Sequence, residues 1–264
     1  MQQELEINKK PSILSKQYWQ NAAMQLKDPK MITIAALIVA LRVVVKLFKI
    51  NIASGLGFSL DGYVNSLGSM IYGPIVGLFV GFVSDILGLV ITGQIATFFA
   101  PFTIVEMTSS FIFALFFWRR KITVSSTLAA KFSVNLVCNV IMTSIFMKWL
   151  KYITLGKAAA DAYQLINGLR IAKNLIMFPL EAMIIVIVLA FAIPMLGRLG
   201  LVDRKLCYID KPSTKKLVIK IAFFTLLSVA IVVFFFFLND KVNFKFSFEI
   251  SDNIFSQIFD KIFN

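Results

Sequence analysis

Between Met31 and Leu238 the chain is a succession of long apolar runs separated by short polar breaks. A helix rises about 1.5 Å per residue, so crossing a hydrocarbon core of about 30 Å takes about 20 residues. On that scale the runs predict spans over about 31–50, 73–93, 97–118, 124–152, 168–196 and 217–238, with a shorter one over about 61–72. The runs are continuous rather than alternating, which argues against a β-barrel built from alternating segments of roughly ten residues. The expectation is an all-α integral membrane protein, a bundle of six transmembrane helices plus a seventh at the C-terminus.

The polar breaks divide the chain. Residues 1–30 form a polar N-terminal segment, with a short interfacial helix expected around Tyr18, Trp19 and Leu26. Residues 31–200 form the six-helix core, 201–238 a basic loop and the extra helix, and 239–264 a tail. Within the core, the Gly/Ser-rich segment NIASGLGFSL over 51–60 predicts an irregular outer loop. Gly73-Pro74 predicts a tight turn, because Pro lacks the amide a continuing helix needs yet serves well at the start of the next one. In the tail, Val242, Phe244, Phe246, Phe248 and Ile250 alternate as in a strand, and Ser251 can cap an amphipathic helix.

Polar residues inside the spans carry the functional signal. Gly73, Gly77, Gly81 and Asp85 recur every four residues, a small-residue stripe with a carboxylate set into it. The first span carries Ala36 and Ala40 at the spacing that suits a neighbouring helix, and gathers Arg42, Lys46 and Lys49 on one face of its second half. Glu106 lies inside the fourth span. Thr127, Lys131, Asn135, Asn139 and Thr143 make a polar stripe about four turns long in an otherwise apolar helix, which predicts a cavity lining. The sixth span opens with Arg170, Lys173 and Asn174 and carries Glu181 on the same face. Intramembrane charges are costly, so each of these should face protein or a polar cavity.

Composition narrows the chemistry. The 264 residues are 58% hydrophobic with a mean hydropathy of +0.82 and a net charge of +13. The cations are scattered among loops, not gathered on a soluble module, which argues against nucleic acid. There is no histidine, which excludes Ser-His-Asp chemistry, H-E-x-x-H zinc sites and a histidine proton relay. Cys138 and Cys207 have neither disulfide nor metal-site spacing, so no metal site is expected. The Phe, Ile, Lys and Asn bias points to an AT-rich bacterial genome. A cytoplasmic N-terminus puts the basic residues of 1–30, 119–121 and 198–216 on the inside, as the positive-inside rule requires. That topology leaves Lys46, Lys49, Lys148, Lys151, Lys157, Arg170 and Lys173 in the outer half, and so favours an anionic ligand arriving from outside.

The segments AALIVALRVVVKLF, SLGSMIYGPIVGLFVGFVSDILGLVITG, FFAPFTIVEMTSSFIFALFF, NLVCNVIMTSIFM and RIAKNLIMFPLEAMI, in this order, resemble the folate-family substrate-binding (S) components of energy-coupling-factor (ECF) vitamin transporters. The resemblance implies a six-helix protein of the bacterial cell membrane that captures a vitamin outside. It works with a transmembrane coupling (T) subunit and two ATPase subunits, and topples to release its cargo inside. Ala36 and Ala40 match the alanine motif that meets the coupling subunit in that family. The FFAPF segment departs from the family's Phe-Pro-Gly-Phe turn. Span 7 and the tail lie outside the resemblance.

A folate-type ligand would use amides such as Asn135, Asn139 and Asn174 on its pterin edge, and Arg42, Lys131, Arg170 and Lys173 on its carboxylates. Asp85 and Glu106 would orient these bases or bond the pterin, and Phe58 or Tyr63 could cover the ring. The chain has no phosphate-binding G-x-x-x-x-G-K-[ST] loop, so no catalytic residue or cofactor is expected in it and ATP would be hydrolysed by the partners. The alternatives are an S component for another vitamin or a stand-alone ion-coupled transporter using Asp85, Glu106 and Glu181. The dispersed acids make a membrane enzyme the least favoured class.

Overall fold

The computed structural model describes residues 13–53, 56–163, 168–202 and 209–210, together with residues 215, 218, 219, 222–224, 226, 227, 229, 230 and 233. The expected strand and amphipathic helix of the tail lie outside the described residues.

The interfacial helix is present as α1, Lys16–Met24, with the Ser15 side chain accepting from the Tyr18 backbone N–H at its start. Tyr18 and Ala22 are buried, and the Tyr18 ring meets Trp118 edge-on with centroids 5.0 Å apart. Burial pushes the Tyr18 phenol up to about 12, against the lowering influence of Arg120. Asp28 then caps α2, Pro29–Leu47, whose proline occupies the first turn, where its missing N–H costs nothing. The following segment is more regular than its composition predicts. Strands β1, Lys49–Ala53, and β2, Leu56–Ser59, pair antiparallel. Lys49 therefore belongs to β1, and the cationic face of α2 consists of Arg42 and Lys46.

Helix α3, Asp61–Ile91, folds back on itself at Gly73, whose φ of 80° and ψ of −175° lie outside the helical region. Arg42 bonds Asp61, while Lys46 one turn later lies beside Asp85 and Gly88, so both ends of α3 reach the same level. The expected turn is confirmed, but Gly73 leaves the glycine stripe. A Cβ there would stand 2.7 Å from the Trp118 ring as well as being strained by the positive φ. The first arm, residues 61–72, is about 18 Å long, too short by itself to cross a core of about 30 Å.

The returning arm packs antiparallel on α4, Ala100–Phe117. A Cβ at Gly81 would lie 2.8 Å from the Cα of Met107, so the two backbones touch where no side chain fits. Reciprocal hydrogen bonds between Thr123 and Ser126 start α5, which runs over Val124–Leu155 and contains a π-helical segment, Asn135–Met142. A short strand β3, Ile122–Thr123, pairs parallel with β4, Ile209–Asp210. Gly156, with φ 84°, ends α5, and the connection that follows contains a short helix, α6, Lys157–Ala162. Helix α7, Gly168–Arg198, carries Pro179 and Pro194.

Four helices are long and apolar enough to cross a membrane: Asp61–Ile91, Ala100–Phe117, Val124–Leu155 and Met177–Arg198. With α2 and the doubling of α3 the described residues give six helical legs. The main core joins Val39 and Val43 to Tyr72, Phe113, Phe117, Ile185 and Leu189. A second core takes in Phe224, from the segment where the seventh helix is expected. The described residues between 215 and 233 are helical, and Phe224 meets Phe132 and Phe178 at centroid distances of 6.3 and 6.1 Å. Each such ring contact adds about 0.5–1.5 kcal/mol beyond area burial, enough to fix this helix against α5 and α7. Leu37, Val44, Phe79, Phe82, Leu180 and Phe191 remain exposed, as lipid-facing positions should.

Candidate functional site: a polar chamber between the helices

The polar residues converge at the end of the bundle away from Trp118. Arg42 is fully buried. Its Nε and one terminal nitrogen donate to the two oxygens of Asp61, both at 2.8 Å. The same terminal nitrogen donates to Glu106 Oε2 at 2.7 Å, and the other to Ser110 Oγ at 3.3 Å. One guanidinium thus joins α2 to both α3 and α4. Asn65 continues the network, accepting from Ser69 and Ser110 and donating to Ser109. Its amide is buried with donor and acceptor both used, so it is scaffold for the cluster.

One turn along α2, Lys46 pairs with Asp85 at 3.7 Å, and Asp85 accepts from the Thr103 hydroxyl at 2.8 Å. The α2 cations and the carboxylates of α3 and α4 therefore form two successive rungs. Asp85 faces protein, as an acid in that stripe should.

The second polar group lies between α5 and α7. Lys131 meets Glu181 at 3.2 Å, and Asn135 Nδ2 donates to Glu181 Oε2 at 3.2 Å and to the Asn174 carbonyl at 2.6 Å. Asn139 Nδ2 donates to Asn135 Oδ1 at 3.2 Å and to Asn174 Oδ1 at 3.0 Å. Pro179 withholds a donor from the carbonyl of Leu175, and the Asn135 amide reaches the carbonyl next to that gap. In a regular helix each four-residue step drifts by about 40°, and the wider turns of the π segment take up that drift. Asn139 accordingly stays beneath Asn135.

The two groups adjoin. A Cβ on Gly62, next to Asp61, would lie 3.9 Å from Lys131 Nζ. Cys138, buried on α5, lies within electrostatic reach of both Glu106 and Lys131, and Tyr63 within reach of Glu181. Among the described residues, the cations Arg42, Lys46 and Lys131 face the carboxylates Asp61, Asp85, Glu106 and Glu181. Every one of these cations is already matched.

Among the described residues, three acceptor atoms in the chamber take no hydrogen bond: Oε1 of Glu106, Oε1 of Glu181 and Oδ1 of Asn139. Among the described residues Lys131 is engaged by Glu181 alone, which leaves it donor capacity. The Glu106 side chain is 32% exposed, against 10% for Asp61. The arrangement can present carboxylate and amide acceptors beside one ammonium donor to a polar planar group.

The structure brings together Arg42, Glu106, Lys131, Asn135, Asn139 and Asn174, with Asp85 one rung away. Arg170 and Lys173 lie on the first turns of α7, ahead of Asn174, with their side chains outside the described residues, as is that of Phe58. Ala36 and Ala40 are exposed on the side of α2 away from Arg42. Sequence reasoning passed over Asp61, Asn65 and Ser110. The signal for Asp61 was Arg42 itself, since an intramembrane guanidinium requires a carboxylate at its own depth.

A family profile described as ECF transporter, substrate-specific component, matches residues 30–189. The folate transporter FolT of Clostridium novyi (strain NT) is 31% identical over 120 residues, which are 46% of this chain and 64% of that protein. A crystal structure of FolT bound with folic acid covers 59% of this chain and 88% of its own, with 23% identity and a TM-score of 0.48. The matched profile contains every described residue of the chamber and describes a component of a transporter, not an enzyme. The chain is a multi-pass membrane protein and belongs to the family of ECF transporter substrate-specific components.

Proposed function

We propose that this protein is the high-affinity vitamin-binding subunit of an ECF-type importer and that its cargo is a folate. The uncommitted atoms of the chamber carry this reading. A pterin presents an amino group and a ring N–H beside carbonyl and ring-nitrogen acceptors. Glu106 Oε1 and Asn139 Oδ1 match the donors and Lys131 Nζ an acceptor. The likeness to a protein named a folate transporter supports the same class.

The glutamate tail then belongs elsewhere. Arg42, Lys46 and Lys131 already face carboxylates, so the tail carboxylates go to Arg170 and Lys173 at the start of α7. The β1–β2 hairpin joins α2 to α3 beside Asp61 and forms part of the cover over the ligand. Arg42 serves as the lock that holds Glu106 in place. Asp85 braces α2 through Lys46.

Uptake requires a transmembrane coupling subunit and two ATPase subunits, which hydrolyse the ATP; this chain needs no cofactor of its own. The small exposed face of α2, with Ala36 and Ala40, is the surface for the coupling subunit. Lys16, Lys27, Lys30, Arg119 and Arg120 stand at the end opposite the chamber, which fits a cytoplasmic N-terminus and a chamber opening outward. The core of residues 31–200 acts as the receptor, with 1–30, 201–238 and 239–264 as additions to it.

The test is a binding screen of purified protein against folate, riboflavin, thiamine, biotin and pantothenate by titration calorimetry. Folate should bind at least a hundredfold more tightly than the others. Equal affinities would refute the cargo assignment, and transport that survives loss of both ATPases would refute the ECF role.

A further inference from the structure

A half-open pocket lies at the opposite end of the bundle, and nothing in the vitamin-binding reading uses it. It is a cavity of about 410 Å³. It lies between the start of α2, the α3 hairpin, the turn after α4 and residues 200–202. That volume falls within the range of small-molecule sites.

Its walls carry two opposite charges that do not meet. The Arg119 guanidinium sits over the Trp118 ring at 4.9 Å and makes no hydrogen bond or ion pair among the described residues. Arg119 also holds a φ of 51°, a strained conformation for a residue with a side chain. Asp28 also lines the cavity: one of its oxygens accepts from the Lys30 backbone N–H at 2.9 Å, and the other takes no hydrogen bond among the described residues. The nearby Lys30 ammonium is turned away from Asp28 and donates to the Leu199 carbonyl at 3.3 Å. Met31, Met70, Ile71 and Leu201 supply the apolar part of the wall, and Gln25 adds a further polar side chain.

A separated cation and anion with apolar side chains beside them fit a zwitterion that carries a hydrocarbon chain. We propose that this cavity binds the head group of an aminophospholipid, with the phosphate on Arg119, the primary ammonium on Asp28 and the acyl chains along the methionine wall. Arg supplies the fork that suits phosphate. The Asp28 carboxylate accepts N–H bonds that a primary ammonium can give and a quaternary one cannot. The depth is right for a head group, because Tyr18, Trp19 and Trp118 cluster at this end and aromatic rings of this kind settle at the membrane interface.

Delipidated full-length protein in detergent can be titrated with short-chain phosphatidylethanolamine, phosphatidylcholine and phosphatidylglycerol and with free phosphoethanolamine, using native mass spectrometry. Wild type should prefer phosphatidylethanolamine to either other lipid by about tenfold, the worth of one charge-assisted hydrogen bond. Asp28→Asn keeps a helix cap but not the charge and should abolish the preference, whereas Arg119→Asn tolerates the positive φ and should weaken all three lipids by about tenfold, since each carries the phosphate. Vitamin binding by both variants reports that they are folded. Equal binding of the three lipids by wild type, a preference that survives in Asp28→Asn, or unchanged lipid affinity in Arg119→Asn overturns the proposal. Free phosphoethanolamine binding as tightly as the lipid overturns the lipid source and assigns the cavity to a soluble zwitterion. None of these outcomes depends on which vitamin the chamber takes.

Discussion

The sharpest consequence of the chamber concerns its two acids that share one base. Arg42 is wholly buried and bonded to Asp61 through two hydrogen bonds of 2.8 Å and to Glu106 through one of 2.7 Å. Removing either carboxylate leaves the guanidinium neutralised by the other. Glu106→Gln weakens one charge-assisted bond, at about 1 kcal/mol, and Asp61→Asn loses the bidentate partner, at about 2 kcal/mol. Removing both leaves an uncompensated buried cation, which costs about 5 kcal/mol. The double variant should therefore lie about 2 kcal/mol below the sum of the singles. Reversible unfolding in mixed detergent–SDS micelles gives all four corners of the cycle. Additive effects, or a double variant as stable as either single, would refute the shared lock and return Arg42 to the ligand as a free cation.

Three further outcomes follow from the same geometry. Gly73→Ala should lower stability by at least 1–2 kcal/mol, the cost of placing an L side chain at positive φ, with the Trp118 overlap added; an unchanged SDS midpoint would contradict the hairpin. Tyr18 has its phenol pushed up to about 12 by burial, so its stabilising contribution is full below pH 10 and is lost as the pH rises towards 12. Fluorescence of the adjacent Trp19 and Trp118 should change over that window in wild type but not in Tyr18→Phe. Ala36→Leu and Ala40→Leu should leave folate affinity within about threefold of wild type while preventing co-purification with the coupling subunit, because both residues are exposed on the face of α2 away from Arg42.

What was legible in the sequence was what a single helix determines. Gly73-Pro74 marks a helix start because proline restricts the backbone locally, and the returning arm of α3 begins there. The four-residue recurrence of Lys131, Asn135 and Asn139 is likewise internal to α5, and these side chains do face one polar group. Partners across helices were not legible. Nothing in the spacing of Arg42 and Asp61 reveals that they meet, so Arg42 read as a cation available to the ligand. The pairing of 49–53 with 56–59 was hidden by glycine and serine, which signal a break without specifying what closes it. The π segment was equally silent, since it corrects a drift that a pattern of fours conceals.

The central claim is that Glu106, positioned by Arg42, receives the donor edge of the ligand's ring. Titration calorimetry of wild type and Glu106→Ala with folate and with its 2-deamino analogue tests it directly. Removing either the carboxylate or the ligand's amino group should weaken binding by about a hundredfold, and removing both should weaken it scarcely further. Independent losses that multiply in the double case would contradict the account.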